Sequence, residues 1–275
     1  MDMVAFRQGV EQAALTHNGG IKLWPCLRLD PAWFAAIVDD VRKLVHERPP
    51  SEVGDKSHPT YWTGPFGHAT QHSLFNASGA TSDTSVDHNH RTDGKVFNAP
   101  ECSALHRFVR CFESRLLNFR VNGLMHDAGL SPHEEFVVHG DNLRLRMHLP
   151  ILTNDGATLV LDDERFHLEP GVVYYFNNGC VHGAENLGQE PRYHLVFDMF
   201  LDHWIWKHVI DQDDPSIPDP GTMKLSADEH SALSRGSPSP IDEYVIGTPT
   251  GVVLRATRHV DALGQTTWKK TPINF

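Results

Sequence analysis

The chain has 275 residues, 40% of them hydrophobic and 21% charged, which suits one large folded domain, or one domain with an appendage, rather than a disordered polymer. Lys and Arg number 24 against 35 Asp and Glu, a formal net charge of −11, and that balance argues against nucleic acid or an anionic membrane as partner. No apolar run approaches the roughly 18–20 residues of a membrane span. The opening residues lack the basic flank and apolar core of a secretory signal, and four scattered cysteines (Cys26, Cys102, Cys111, Cys180) read as free thiols of a reducing compartment, the cytoplasm.

Residues 1–16 read as a short helix. A second helix begins cleanly, with Asp30 as cap and Pro31 at its first position. Phe34, Ile37, Val38, Val41 and Leu44 line one face until the Pro49-Pro50 stop. Residues 51–98 read as long loops with strand-like pieces near Tyr61–Trp62 and His72–Asn76, and a third helix is expected over roughly Glu101–Leu117. From about residue 118 the period changes to that of strands: FRVNGLM, EEFVV, LRLRMHLPI, ATLVL, RFHL, VVYYF and PRYHLVFDMFL. Turn chemistry separates these runs at Asp127-Ala128-Gly129, Gly140-Asp141-Asn142, Asn154-Asp155-Gly156, Pro170-Gly171 and Asn177-Asn178-Gly179. Helices first and strands later predict a mainly β protein with flanking helices, a sandwich or barrel rather than a doubly wound sheet. Residues 207–275, rich in Pro, Asp and Ser as far as about 241, carry no assigned element and read as a C-terminal extension, a lid, an oligomer contact or a loose tail.

Nineteen histidines prompt a search for metal ligands. Two His-x-carboxylate pairs fall in the β region, His133-Glu134-Glu135 and His139-Gly140-Asp141. On an extended segment such a pair points to one face. A distant histidine, His182 in Gly179-Cys180-Val181-His182, would complete a face of two imidazoles and one carboxylate, which leaves Fe(II) positions open for a cosubstrate and dioxygen. Each residue also has an ordinary reading. His182 would flank a turn, Arg192 would pair with Glu190 or Asp198 on an outer strand face, and Arg144, Arg146 and His148 would form a solvated face. Against this, Arg192 shares its strand face with His194, Val196 and Asp198. An arginine directed into a barrel needs a partner, which a dicarboxylate would supply. The loop histidines His58, His68, His72, His88 and His90 are not expected to be ligands.

The segments SLFNASG (73–79), PHEEF (132–136), LRLRMHLPILTN (143–154), PGVVYYFNNGCVHGAEN (170–186) and PRYHLVFD (191–198) resemble the aspartyl/asparaginyl β-hydroxylase family of 2-oxoglutarate/Fe(II) dioxygenases, and within it the bacterial proline hydroxylases. The resemblance implies a double-stranded β-helix (a cupin-like jelly roll), with a helix-flanked domain over 1–206 whose barrel occupies about 118–204. It implies Fe(II), 2-oxoglutarate and dioxygen as cofactors, with His182 on iron and Arg192, ten residues on, at the far carboxylate of 2-oxoglutarate. Arg146 and His148 match the family's Arg-x-His beside cosubstrate or substrate. Ser73 and Asn76 would line the pocket, and Arg144, Arg146 or Arg120 would meet a substrate carboxylate. Which pair supplies the first histidine and the carboxylate stays open. His139-x-Asp141 has the commoner aspartate, but leaves only Asn142–Leu145 before Arg146. In a double-stranded β-helix that connection must cross between sheets about 10 Å apart, so His133/Glu135 is preferred and Gly140-Asp141-Asn142 becomes turn chemistry.

The expected function is therefore hydroxylation of a free amino acid or similar small carboxylate-bearing metabolite. The alternatives are hydroxylation of Asp, Asn or other side chains in a peptide or carrier-bound substrate, a non-catalytic cupin-like anion-binding protein, and a metal-dependent oxygenase or isomerase without 2-oxoglutarate. A carboxylate at the metal speaks against a halogenase. A homodimer is allowed by the sequence but not required.

Overall fold

In a computed structural model, the described residues are 1–17, 19–53, 61–63, 69–83, 94–135, 137–139, 141–162, 164–212, 214–217, 223–224, 243–247, 253–260 and 266–272. The chain opens with helix α1 (Met3–Thr16), strand β1 (Leu23–Arg28) and helix α2 (Pro31–Glu47). Asp2 and Asp30 cap the helices by accepting from Ala5 N–H and Trp33 N–H. Short strands β2 (Ser51–Val53), β3 (Tyr61–Thr63), β4 (Ala69–Ser73), β5 (Phe75–Asn76) and β6 (Val96–Phe97) follow, then helix α3 (Ser103–Phe112). The barrel strands are β7 (Leu116–Leu124), β8 (Ala128–His133), β9 (Val138–His139), β10 (Asn142–Leu152), β11 (Ala157–Leu161), β12 (Glu164–Phe166), β13 (Val172–Phe176), β14 (His182–Asn186) and β15 (Arg192–Phe200). Beyond them lie β16 (Met223–Lys224), β17 (Glu243–Gly247), β18 (Val253–Val260) and β19 (Thr266–Pro272).

The strands form an eight-stranded sheet in the order β1-β13-β10-β15-β7-β4-β2, with β9 on β10, and a six-stranded sheet in the order β16-β12-β11-β14-β8-β3. From β7 to β15 the chain passes back and forth between the two, with antiparallel neighbours throughout. This is the double-stranded β-helix expected from the sequence. Strand alternation sorts the large sheet into two faces. Leu143, Leu145, Met147 and Leu149 of β10, Leu195, Phe197 and Met199 of β15, and Phe119 and Val121 of β7 join one core with α1, α2 and α3. The other face looks into the barrel.

Several elements differ from expectation. Helix α3 stops at Phe112 and passes through a 3-10 turn, Glu113–Arg115. Leu116 and Leu117, read as helical, start β7 because both are buried in the sheet. The turn before β8 falls at His126–Asp127, with Asp127 at φ 57 and its N–H donating to the Asn186 carbonyl. The strand therefore runs through Ala128 to His133, earlier than the EEFVV run. Strands β1 and β14 had no expectation, nor had the three-stranded antiparallel sheet β17-β18-β19 within the C-terminal extension. The backbone of β17 approaches that of β8. Among the described residues no helix is long and apolar enough to cross a membrane, and the four cysteines are free.

Candidate metal and cosubstrate centre

His133 and His182 are direct cross-strand partners on β8 and β14, a placement that brings side chains within contact. Their ring centroids lie 4.1 Å apart. A bulge separates His182 from Ala184. At Gly183 a Cβ would come within 2.9 Å of the Leu130 carbonyl oxygen, so only glycine allows β14 this close to β8. Glu135 lies just beyond β8, its N–H donating to the Asn178 carbonyl. One donor atom each from His133, Glu135 and His182 lies within 4.8 Å of the other two.

The protonation of this group fits a cation. His182 Nδ1 is 3.0 Å from the Cys180 carbonyl oxygen. A carbonyl only accepts, so Nδ1 carries the proton and Nε2 offers its lone pair. Burial first, and His133 second, hold the His182 imidazole well below its usual pKa, in the neutral form a metal needs. Burial works against ionisation of Glu135, but the Arg146 and Arg144 guanidiniums outweigh it and hold the carboxyl well below the usual range. Arg144 Nη2 donates to Glu135 Oε2 at 2.7 Å, and Arg146 Nη1 bonds Oε1.

Opposite, on the large sheet, the register sets polar residues in rows: Arg146 beside Asp198 and Asn118, His148 beside Val196, Arg120 and Ser73, and Pro150 beside His194, Asn122 and Gln71. Arg146 grips Asp198 with two bonds of 2.9 Å, and Asn118 Nδ2 donates to the same carboxylate at 2.9 Å. This pairing keeps Asp198 far below the usual carboxylate range despite its complete burial. Arg192 Nη2 lies 2.9 Å from His194 Nδ1, and His148 Nδ1 lies 3.4 Å from that same nitrogen. Arginine only donates, so His194 accepts there and carries its proton on Nε2. Burial, then Arg192, hold both imidazoles well below their usual pKa. The Phe176 ring stands between the two halves of the site, 5.2 Å from His182 and 4.8 Å from His148.

The remaining sequence candidates divide. Arg144, Arg120 and Arg192 are buried, not solvated. Ser73 is buried beside Arg120. Asn76 spends its amide on its own loop: Nδ2 donates to the Ala80 carbonyl and Ser73 Oγ, and Oδ1 accepts from Gly79 N–H. Asp141 is exposed between β9 and β10, and its backbone carbonyl accepts from Arg7 Nη1 at 2.7 Å. His139 pairs with Asn142 on the large sheet, whereas β8 belongs to the other sheet. His72 is buried with Nε2 toward the Arg48 carbonyl, and His58, His68, His88 and His90 lie outside the described residues. Asp198 carries more of the site than its sequence suggested. Its only signal was its place on the inward face of RYHLVFD.

Residues 86–201 match the family described as aspartyl/asparaginyl beta-hydroxylase, so the resemblance read from the sequence is borne out over β7 to β15. A curated L-proline cis-4-hydroxylase of Rhizobium meliloti (strain 1021) is 28% identical over 79 residues, covering 29% of this chain and 28% of that enzyme. The match thus spans well under two thirds of the relative's length. Among solved structures, an oxidoreductase of the 2OG-Fe(II) oxygenase family from Burkholderia pseudomallei aligns with TM-score 0.44 and 12% identity over 72% of this chain and 92% of its own. A Pseudomonas putida prolyl-4-hydroxylase aligns with TM-score 0.38 and 13% identity over 71% and 97%.

Proposed function

We propose that the protein is an Fe(II)/2-oxoglutarate-dependent dioxygenase that hydroxylates a free amino acid or a similar small carboxylate-bearing metabolite. The observation that carries this reading is the clustering of one donor atom each from His133, Glu135 and His182 within 4.8 Å. Two imidazoles and one carboxylate are the donor set that holds Fe(II) and leaves coordination positions free. When bound, iron, 2-oxoglutarate and dioxygen supply the oxidising chemistry.

The chain's own residues bind and orient. Arg192 would take the far carboxylate of 2-oxoglutarate, since a guanidinium matches a carboxylate with two parallel bonds. His148 stands beside it, and its Nε2 is buried with no hydrogen-bond partner among the described residues, the condition of an atom that a ligand satisfies. Arg144 Nε is in the same condition, so Arg144, with Arg120, is the candidate for a substrate carboxylate. Arg146 is committed to Asp198 and Glu135 and acts by orienting the Glu135 carboxylate. Ser73 would line the pocket wall, and Asn76 would hold the loop behind it. The relative acts on L-proline by its name, which favours a small substrate over a polypeptide. Four free cysteines suit the reducing cytoplasm.

The test is succinate and CO₂ release from 2-oxoglutarate by protein loaded anaerobically with Fe(II), screened across the twenty amino acids. Stimulation by one of them, lost in His182→Ala, is the expected result. Full activity in His182→Ala would overturn the metal assignment. Turnover of folded polypeptide alone would transfer the reading to peptide side chains, and binding without turnover would leave an anion-binding protein.

A further inference from the structure

Helix α1 lies outside the barrel, yet it is tied to the turn that precedes His182. Asn177 Nδ2 donates to the carbonyls of Val10 at 3.0 Å and Ile21 at 2.8 Å, and Asn177 N–H donates to the Lys22 carbonyl at 2.9 Å. At Gly179 a Cβ would come within 2.7 Å of Ala14 Cβ, so helix and turn are in direct contact. The helix ends at His17, whose backbone is left-handed at φ 55. The His17 imidazole is buried.

One edge of the ring meets Asp162, with Nδ1 2.9 Å from Oδ1. Asp162, in the β11–β12 turn at φ 53, holds the peptide before His182 from both sides. Its N–H donates to the Val181 carbonyl at 2.6 Å, and its Oδ1 accepts from Val181 N–H at 3.1 Å. Lys22 Nζ steadies the other carboxylate oxygen at 2.9 Å. The opposite edge of the ring faces the second ligand segment, with Nε2 3.6 Å from Glu134 Oε2. Glu134 sits between His133 and Glu135, and on an extended segment it points away from the face those two share. The side chains of His17, Asp162 and Glu134 are only 2%, 1% and 8% exposed.

We infer that His17 is a positioning residue for the metal centre: one imidazole from the N-terminal helix links the His182 segment, through Asp162, to the His133–Glu135 segment, through Glu134. This inference rests on the metal-centre reading above. Burying two carboxylates, an imidazole and an ammonium together is costly beside an apolar filling of similar volume. The cost has a return here because the cluster lies behind both segments whose spacing fixes the donor atoms. Partners behind the ligands hold their orientation, and losing one typically weakens metal affinity about 10- to 100-fold. A cluster that only stabilised the fold would lower the melting temperature and leave affinity alone.

The experiment is Mn(II) affinity by electron paramagnetic resonance on the full chain, read beside the melting temperature of the metal-free protein. The variants are His17→Asn, Glu134→Gln and the double variant. Asparagine tolerates the left-handed backbone at position 17. Each single substitution is expected to weaken Mn(II) binding by about tenfold or more. The double variant should bind little worse than His17→Asn, because both remove one shared link. Affinities within about twofold of the unaltered chain, alongside lowered melting temperatures, would overturn the inference, as would effects that multiply. Should His17→Asn fail to fold, Glu134→Gln decides alone: weakened affinity supports the link and unchanged affinity removes it. His182→Ala separates the two levels. If it binds Mn(II) as the unaltered chain does, the metal-centre reading fails and takes this inference with it. If it does not, an unchanged His17→Asn sinks this inference alone.

Discussion

Strand β10 has two buried faces with opposite chemistry. Toward the helices it presents Leu143, Leu145, Met147 and Leu149, and toward the barrel Arg144, Arg146 and His148. Burial of the first face stabilises the fold directly. Burial of the second disfavours it unless every charge and polar atom is paired. The pairing inside the barrel is complete at the Asp198 carboxylate and incomplete around it: among the described residues, His148 Nε2, Arg144 Nε, Asn118 Oδ1 and Asn122 Oδ1 are buried with no hydrogen-bond partner. Equal burial thus covers an apolar surface on one side of β10 and, on the other, a polar one whose pairing is incomplete among the described residues.

The sharpest way to break this contrast is to cut each face once. Met147→Ala removes a fully buried side chain from the helix face and should cost about 2–5 kcal/mol of stability, with the KM for 2-oxoglutarate unchanged. Arg192→Met removes the proposed carboxylate partner on the barrel face. It should raise that KM about 30-fold or more, as loss of a buried charge partner costs about 2–5 kcal/mol, while the melting temperature changes little. Denaturation curves and steady-state kinetics on both variants decide. If both readouts move alike in both variants, the faces do not divide the labour.

The division was legible in the sequence wherever alternation carried it. LRLRMHL and RYHLVFD announce one apolar and one polar face, and the two strands pair as those patterns require. Strand β14 was not legible. HGAEN is buried at every position, so no alternation remains, and it contains no β-branched or aromatic residue to mark it as a strand. Contacts between distant segments left no local trace either. His17 and Asp162 are 145 positions apart, and a left-handed residue after a helix says nothing about what its ring will meet. The strands of EYVIG, VLRATRHV and TTWKKTP were readable. Alternation is present in VLRATRHV, but the Pro- and Ser-rich stretch before them drew the whole region into one irregular extension.

Acid should strain the barrel face most, where two imidazoles and a carboxylate are buried together. His148 and His194 are held neutral by burial, with pKa values below that of the unfolded chain. The unfolded state therefore binds more protons once pH falls below about 6.5. Their contribution to stability is complete above that pH and is lost as pH falls toward the folded values. The slope approaches about 1.4 kcal/mol per pH unit for each group. Asp198 has the opposite chemistry and the same sign: its depressed pKa stabilises the fold above the unfolded value of about 4, and that stability is lost below it. Melting temperatures from pH 8 to 4 (about the range between these limits) should be flat and then fall, and His194→Gln should flatten the first fall. Met147→Ala should lower the curve without changing its shape, since it removes an apolar side chain and leaves the His148, His194 and Asp198 groups in place. A change of shape in Met147→Ala would show that the two faces share their proton chemistry.

The smallest expected effect concerns the rim, where two His-x-carboxylate pairs compete in the sequence. Asp141 is exposed in the β9–β10 turn, and the bond that holds it uses the backbone carbonyl. Asparagine suits the same turn and keeps that carbonyl, so Asp141→Asn should leave Mn(II) affinity and turnover within about twofold, as surface substitutions usually do. Glu135→Gln should instead weaken the metal strongly, because it removes the charge that Arg144 and Arg146 hold in place beside His133 and His182. Mn(II) titration of the two variants side by side measures the difference. The reverse pattern, with metal lost in Asp141→Asn and kept in Glu135→Gln, would require β9 to leave β10 and carry its residues across to His182, and would reassign the first pair.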